Sequence, residues 1–335
     1  MPTIKDIAHI SGVSLATVSY VLNNRPGKVS PEKRERVLAA IRQTNYRPRQ
    51  SLQRAALPDC LTLGIAVGSA TRDRYFQAML DNLHNVLDEM GHNSLIFTSR
   101  LFYEDPLLSI RTYCDGRCDG LIVVSPSVGN ELVRTLRERG FPHILVGNSG
   151  DDALSSSCEI DNLAAARTAM GELLSQGHKR IAYCRGPHET RASWQREEGY
   201  RQILAEADLP IDERWIGEIP DIRSWAPGLL TLPPDERPTA IFSFSDGVSR
   251  LLLSALTAAG ASVPSDISLV SVDDLGADAT NPPLTTVRQP FQEIGRGAAE
   301  ILLAQIRDPE LAPQQRLIEG ELVRRDSVGI GPLGP

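Results

Sequence analysis

Residues 3–22 read TIKDIAHISGVSLATVSYVL, and this stretch decides how the chain begins. Thr3 is placed to cap a short helix, with Asp6 three residues on in a looser form of the capping box, and Ile4, Ile7 and Ala8 then share one face. Gly12 permits a tight turn. Ser14 is a natural N-cap for a second helix, whose Val18, Val21 and Leu22 point inward with Val13. Leu15, Ala16, Thr17, Ser19 and Tyr20 are left outside. Small, hydroxyl and aromatic residues without charge are odd on a solvated face but suit a DNA major groove, where hydroxyls reach phosphates and Ala16 and Leu15 meet thymine methyls. Val29-Ser30-Pro31 opens a third helix whose Val37, Leu38 and Ile41 close a three-helix core, and whose first half carries Lys33, Arg34 and Arg36.

An ordinary helical corner has the same pattern, and charge separates the two readings. Residues 1–57 hold ten basic side chains (Lys5, Arg25, Lys28, Lys33, Arg34, Arg36, Arg42, Arg47, Arg49, Arg54) against Asp6, Glu32 and Glu35, a net of +7 that leaves −14 on the rest of a chain totalling −7. A basic module on an acidic body meets phosphates at one end only, which orients it on a nucleic acid.

Beyond residue 60 the pattern changes. Strand-like runs at 61–67, 94–97, 121–124, 144–146, 181–184, 216–219, 240–244 and 267–272 alternate with helical stretches at 76–89, 163–175, 196–207, 249–259 and 294–306. Such alternation predicts parallel sheets covered by helices, in two similar halves meeting near Ile160. Ligands of such sheets bind outside the carboxyl ends of the strands, so a cleft between the halves is the expected site. A connector at 46–59, broken by Pro48 and Pro58, joins the two patterns. The length of 335 residues fits two or three units, and 41% hydrophobic with 23% charged residues excludes a disordered or fibrous chain. The five cysteines, at 60, 114, 118, 158 and 184, lack C-x-x-C spacing and fit a reducing cytoplasm. No apolar run approaches a membrane span and no signal peptide is read at the start, so a cytoplasmic location is expected.

Thr3-Ile4-Lys5-Asp6-Ile7-Ala8, Gly12-Val13-Ser14, Ala16-Thr17-Val18-Ser19, Val21-Leu22-Asn23 and Tyr46-Arg47-Pro48 together resemble the lactose-repressor (LacI/GalR) family. The likeness continues through Asp161-Asn162, Gly177-His178-Lys179-Arg180-Ile181, Gly199-Tyr200, Asp273-Asp274 and Pro283-Leu284-Thr285-Thr286-Val287, covering essentially the whole chain. It implies an all-α helix-turn-helix headpiece at 1–46, a hinge connector at 47–59, and an α/β two-lobed periplasmic-binding-protein-like sensor at 60–335 that dimerises and whose lobes meet near 160 and again near 290. The expected protein is a transcriptional repressor that binds an inverted-repeat operator as a homodimer and is controlled by a sugar or sugar derivative. The resemblance assigns DNA contact to Thr3, Ser14, Leu15, Ala16, Thr17, Ser19, Tyr20 and Asn23, and to Arg47, Arg49, Leu52, Arg54 and Ala55 of a hinge helix formed on DNA. Two positions depart from the family. Tyr20 stands where many members carry a base-reading arginine, and Ala55 where a leucine commonly wedges into the minor groove.

In the sensor, Tyr75 and Phe76 start a helix where aromatic faces stack on a sugar or ring, though an aromatic there is as often core. Arg196 matches a family position whose guanidinium grips ligand hydroxyls. Ser245, Asp246 and Asp273 end strands and are expected in the crevice. Asp273 and Asp274 are adjacent on one loop and point apart, which argues against paired acid-base work. Arg72, Arg74, Arg185, Arg191 and Arg223 are expected near the cleft mouth, where several together would select an anion, although most are expected to be solvated surface arginines. Trp225, beside Arg223, is expected to serve as a stacking aromatic, and Trp194 lies in a similar loop. Gly329-Ile330-Gly331-Pro332-Leu333-Gly334 matches G-x-G-x-x-G with no helix after it. No zinc spacing and no catalytic constellation are read, so neither metal, cofactor nor a doubly wound enzyme is expected.

Overall fold

The computed structural model describes residues 4–22, 28–44, 60–67, 74–98, 112–124, 130–147, 154–188 and 190–332. Thr3, Asn23, Arg47, Arg49, Leu52, Arg54 and Ala55, and with them the hinge connector, lie outside the described residues. The chain forms two compact units, residues 1–58 with 115–117 and residues 59–114 with 118–335.

In the smaller unit α1 (Ile4–Ser11), α2 (Leu15–Leu22) and α3 (Pro31–Thr44) enclose a core of Ile7, Ala8, Val18, Val21, Val37 and Ala40. Gly12 turns the chain between α1 and α2 at φ +62°, a left-handed conformation that costs glycine nothing. Ser14 Oγ accepts from the Thr17 amide at 3.2 Å, as an N-cap does. Arg36, counted above in a basic cluster, donates from Nη2 to Ser11 O (2.7 Å) and Gly12 O (2.8 Å). It thus ties α3 to the turn, and its guanidinium is committed within the headpiece.

The larger unit contains two six-stranded sheets. The first is built from β1 (Thr62–Val67), β2 (Asn93–Thr98), β3 (Gly120–Val124), β4 (His143–Val146), β5 (Ser156–Ile160) and β11 (Gln315–Ile318), ordered β11-β5-β4-β3-β1-β2. The second holds β6 (Ile181–Cys184), β7 (Ile216–Gly217), β8 (Ala240–Ser243), β9 (Ser268–Asp273), β10 (Thr285–Arg288) and β12 (Glu321–Val323), ordered β12-β10-β9-β8-β6-β7. Neighbouring strands run parallel, with Ile65 opposite both Ile96 and Ile122, except that β12 pairs antiparallel to β10. Apolar runs such as Leu121–Val124 are buried throughout because helices cover the sheets.

On the first sheet lie α4 (Arg74–Glu89), α5 (Asn130–Glu138) and α10 (Phe291–Arg307); α10 packs on α4 and across β3, β4 and β5. Their Met79, Leu83 and Leu302 are fully buried, each contributing about 1.5–3 kcal/mol relative to exposure. The second sheet is covered by α6 (Asn162–Ser175), which packs on α7 (Arg191–Glu206), and by α8 (Ile222–Leu230) with α9 (Asp246–Ala258). The chain crosses between the sheets three times, after β5, after β10 and after β11. The third crossing was not anticipated, because β11 and β12 are short and carry charge.

Each sheet holds one buried histidine, whose neutral form is favoured by burial and opposed by its backbone carbonyl partner. His143 Nδ1 donates to Phe141 O (2.8 Å) while Nε2 accepts from Ser155 Oγ; His178 Nε2 donates to Gly329 O (3.1 Å) while Nδ1 accepts from Thr239 Oγ1. Burial holds both pKa values below the ordinary one. Among the described residues no helix is long and apolar enough to cross a membrane, and no cluster of His, Cys, Asp and Glu is arranged for a metal ion.

Candidate functional site

Where strands of both sheets end, a cavity of about 320 Å3 opens between them. From the first sheet it is lined by Tyr75, Phe76, Gly147, Glu159 and Ile160; from the second by Pro187, Thr190, Ala192, Arg196, Phe244, Ser245 and Asp273; and from two of the crossings by Asn162 and Gln289. Of the residues expected here, Tyr75, Phe76, Arg196, Ser245 and Asp273 are therefore brought together.

Arg196 is only 3% exposed and is held from three sides. Its Nε donates to Asn162 Oδ1 (2.9 Å), its Nη1 donates to Phe244 O (2.6 Å) and stands 3.9 Å from Asp273 Oδ1, and the guanidinium lies 4.6 Å from the Phe244 ring centroid. Such fixation pre-orders the planar fork for a ligand, at little further entropy cost on binding. Asp273 ends β9 at φ +125°, a conformation uncommon for a residue with a side chain. Gln289 Nε2 donates to its Oδ1 at 2.6 Å. Asp274 turns the other way, to Arg288 Nε and Arg325 Nη2 at 2.7 Å each. The adjacent carboxylates thus have separate partners.

The aromatic wall depends on a glycine. Gly147 follows β4 at φ +77°, and a Cβ built there would stand 2.3 Å from the Tyr75 hydroxyl, so only glycine lets that ring approach the backbone. Tyr75 packs edge-on against Phe291, with centroids 5.7 Å apart. Thr190 and Ser245 cap α7 and α9 with their side chains, which places the starts of both helices at the cavity.

Two expected residues are elsewhere. Asp246 is fully buried behind the site, accepting from Ser271 Oγ, from Thr286 Oγ1 (2.9 Å) and from the Leu275 amide (2.7 Å). It braces β9, β10 and the loop after β9; burial raises its pKa, while these hydrogen bonds oppose the rise. Trp225 sits on α8 with its ring over Gly217 and its Nε1 donating to Arg214 O at 3.1 Å, half-buried against the second sheet's outer core. The strand end and the neighbouring arginine suggested the crevice for these two; the side of the sheet they occupy could not be read from the sequence.

Of the arginines expected at the mouth, Arg191 begins α7 between the lining residues Thr190 and Ala192, and the others have separate surroundings. Arg185 is paired with Glu197 (2.8 Å) and Glu218 (3.2 Å), Arg74 donates to Leu275 O at 3.5 Å, and Arg223 lines a groove between α8 and α9; Arg72 lies outside the described residues. Trp194 is exposed, its Nε1 donating to His188 O at 2.7 Å. Phe244, Gln289 and Glu159 are not assigned to the site by the sequence, and Asn162 enters there only within the motif Asp161-Asn162. Phe244 ends the strand-like run at 240–244 and Gln289 follows the Pro283–Val287 motif, but Glu159 follows the serine-rich run Ser155-Ser156-Ser157 and gave no signal.

On α2, Leu15 and Ala16 are exposed, Thr17, Ser19 and Tyr20 are half-buried, and Ser14 is exposed at the cap. Three packed helices with this uncharged second helix form a helix-turn-helix, and two sheets crossed three times around a cavity with aromatic walls and a few polar groups form a receptor of the periplasmic-binding-protein type. Their union in one chain defines a ligand-responsive DNA-binding regulator.

Comparison with known proteins agrees. Residues 3–49 match the model of bacterial regulatory proteins of the lacI family, and residues 170–328 match the periplasmic binding protein-like domain. The chain is 32% identical over 334 residues to the HTH-type transcriptional repressor PurR of Vibrio campbellii, covering 98% of this chain and 99% of that protein. Among solved structures, the transcriptional regulator CelR in complex with cellobiose superimposes with a TM-score of 0.72 at 28% identity, covering 98% of this chain and 100% of that one. The lac repressor dimer bound to operator and the anti-inducer ONPF shares the fold, with a TM-score of 0.71 at 23% identity over 98% of this chain and 99% of that one. The chain belongs to the lacI family of bacterial regulatory proteins. It is a DNA-binding transcriptional regulator under the control of a small-molecule effector.

Proposed function

We propose that this chain is a cytoplasmic repressor that binds an inverted-repeat operator as a homodimer, and that a sugar or sugar derivative in the cavity between the sheets sets its operator affinity. The carrying observation is the buried Arg196, fixed by Asn162 and Phe244 O and lying beside Asp273 in a cavity with aromatic walls. A fixed planar donor beside a carboxylate acceptor, with rings to stack on, is what a polyhydroxylated ligand requires. CelR, of similar fold and sequence, was solved with cellobiose, and the lac repressor binds its operator as a dimer. The site serves binding rather than catalysis: Asp273 and Asp274 are held apart, and no nucleophile with an adjacent base stands among the described lining residues.

At the DNA, Ser14, Leu15, Ala16, Thr17, Ser19 and Tyr20 are assigned to the major groove, and Thr3, Asn23 and the connector residues Arg47, Arg49, Leu52, Arg54 and Ala55 to the flanking contacts. Tyr20 in place of a base-reading arginine gives this chain an operator preference of its own.

The test has two arms. A thermal-shift screen of sugars should find one that stabilises the protein by about 2.7 kcal/mol at a hundred times its dissociation constant. Deleting residues 1–57 should abolish operator retardation in a gel and leave that shift intact. Retardation by the truncated chain would refute the headpiece assignment, and a screen in which no sugar shifts the melting temperature would refute the sugar assignment.

A further inference from the structure

Arg196 and Asp273 carry opposite charges on side chains that are only 3% and 10% exposed, yet Arg196 Nη1 stands 3.9 Å from Asp273 Oδ1. A hydrogen bond between nitrogen and oxygen closes to about 2.7–3.2 Å, and buried opposite charges attract strongly because little water screens them. The pair is nevertheless open, and each partner is restrained from its own side.

On the arginine side the restraint is Phe244. Its amide donates to Cys184 O at 2.9 Å, which extends the pairing of β8 with β6 and fixes its backbone. From that position its carbonyl accepts from Nη1 at 2.6 Å, and its ring centre lies 4.6 Å from the guanidinium carbon, within reach of a cation–π attraction. The ring is seated on Gly186, where a Cβ would come within 2.6 Å of it, so any side chain at 186 would displace the ring. On the carboxylate side the restraint is Gln289. Its Nε2 donates at 2.6 Å to Oδ1, the same oxygen that is 3.9 Å from Nη1, and its amide donates to Asp273 O at 3.2 Å.

We propose that Phe244 and Gln289 are positioning residues that hold Arg196 and Asp273 apart, so that donor and acceptor both stay available to the effector. A closed salt bridge would satisfy each group with the other, and a ligand would bind only while the pair was parted; its apparent affinity would fall with the open fraction. This rests on the reading of the cavity as the effector site.

The experiment begins with crystal structures of the ligand-free full chain as wild type, Phe244→Leu and Gln289→Leu. Leucine at 244 keeps the main-chain carbonyl and an apolar side chain but removes the ring face, and leucine at 289 removes the donor to Asp273. In each variant the shortest Arg196–Asp273 nitrogen–oxygen distance should fall to about 3.2 Å or less, while the wild-type pair stays open. A pair that stays open in one variant overturns the role of that residue, and a closed pair in the wild type overturns the proposal. Should Phe244→Leu fail to fold, Gly186→Ala, which displaces the same ring, takes its place.

Binding kinetics with cellobiose, ribose, glucose and galactose supply the second arm. A sugar that binds the wild type should bind either leucine variant about tenfold more weakly, as for a pair closed nine-tenths of the time, with the loss in the association rate and the dissociation rate unchanged. Unchanged affinity, or a loss confined to the dissociation rate as poorer packing of the cavity wall would give, would overturn the positioning role and leave the sugar reading standing. Binding of none of the four would overturn the sugar reading, and the crystallographic distances would then decide the positioning role by themselves.

Discussion

The two sheets of the larger unit repeat one plan and contribute different chemistry. Both run β-strands in the spatial order second, first, third, fourth, fifth, and each is completed by a late strand from beyond α10. Yet the first sheet gives the cavity two aromatic rings, a glycine, an isoleucine and Glu159, whereas the second gives the fixed guanidinium, its carboxylate partner and two capped helix starts. The frame is common, and the loops at its open ends carry the difference, which is why fold alone never names a ligand.

The largest expected effect tests whether the second sheet dominates. Arg196→Ala removes a buried guanidinium and leaves Asp273 without it, so effector affinity measured by titration should fall by about 2–5 kcal/mol. Operator binding without effector should be nearly unchanged. An unaltered titration would remove Arg196 from the site and dissolve the contrast.

Next comes Asp246, which supports the second sheet from behind. Asp246→Asn cannot accept from Ser271, Thr286 and the Leu275 amide together, and should cost about 1–3 kcal/mol in denaturant unfolding. Burial raises its pKa, so in acid the folded chain holds this proton more tightly than the unfolded chain does. Wild-type stability from this group therefore declines as pH rises from the ordinary aspartate range through the folded value, and the cost of Asp246→Asn should shrink along the same course. A cost that grows as pH rises there would contradict the buried placement.

Tyr75→Ala probes the first sheet and should weaken the effector by about 1 kcal/mol, the scale of one aromatic contact, with Gly147→Ala producing a similar loss by displacing the ring. A loss as large as that of Arg196→Ala would erase the asymmetry. The smallest effect concerns the feature the sheets share. His143 and His178 both have lowered pKa values, so below about pH 6.5 the unfolded chain takes up protons first and stability falls. Each contribution should be under about 1 kcal/mol, intact above that pH and absent in His143→Gln or His178→Gln. Unfolding of the single variants between pH 5 and 7.5 measures it.

Much of this architecture was legible in the sequence, for physical reasons that differ by element. β1, β3 and β6 are largely continuous apolar runs, and their reading needs only the rule that covered parallel strands are buried on both faces. β5 escaped because Ser156, Ser157 and Glu159 look like a loop, although all three are buried; Ser156 Oγ, for one, accepts from Gln305 Nε2 and the Gln314 amide. α5 and α8 were passed over, one for its charge and the other for Pro227 within it. At the cavity, Arg196 was placed through resemblance and Asp273 by its position at a strand end, but Glu159 belongs to the unread strand, and Asp246 was placed in the crevice because a strand end does not tell which way the next side chain turns.

The route of the chain through the three crossings also bears on synthesis. α10, which covers β3 to β5, and β11, which pairs with the edge of β5, both follow the greater part of the second sheet in the sequence. As the polypeptide leaves the ribosome, five strands of the first sheet emerge early, but the apolar face for Ala298 and Leu302 and the open edge of β5 wait until residues 291–318 have been translated. A nascent chain halted near residue 290 would carry both an uncovered face and an unpaired edge, the two features that recruit chaperones or seed aggregates. The hydroxyl-rich Ser155-Ser156-Ser157 run lies on that waiting edge and makes it a poorer template for a second chain than the valines of β3 would be.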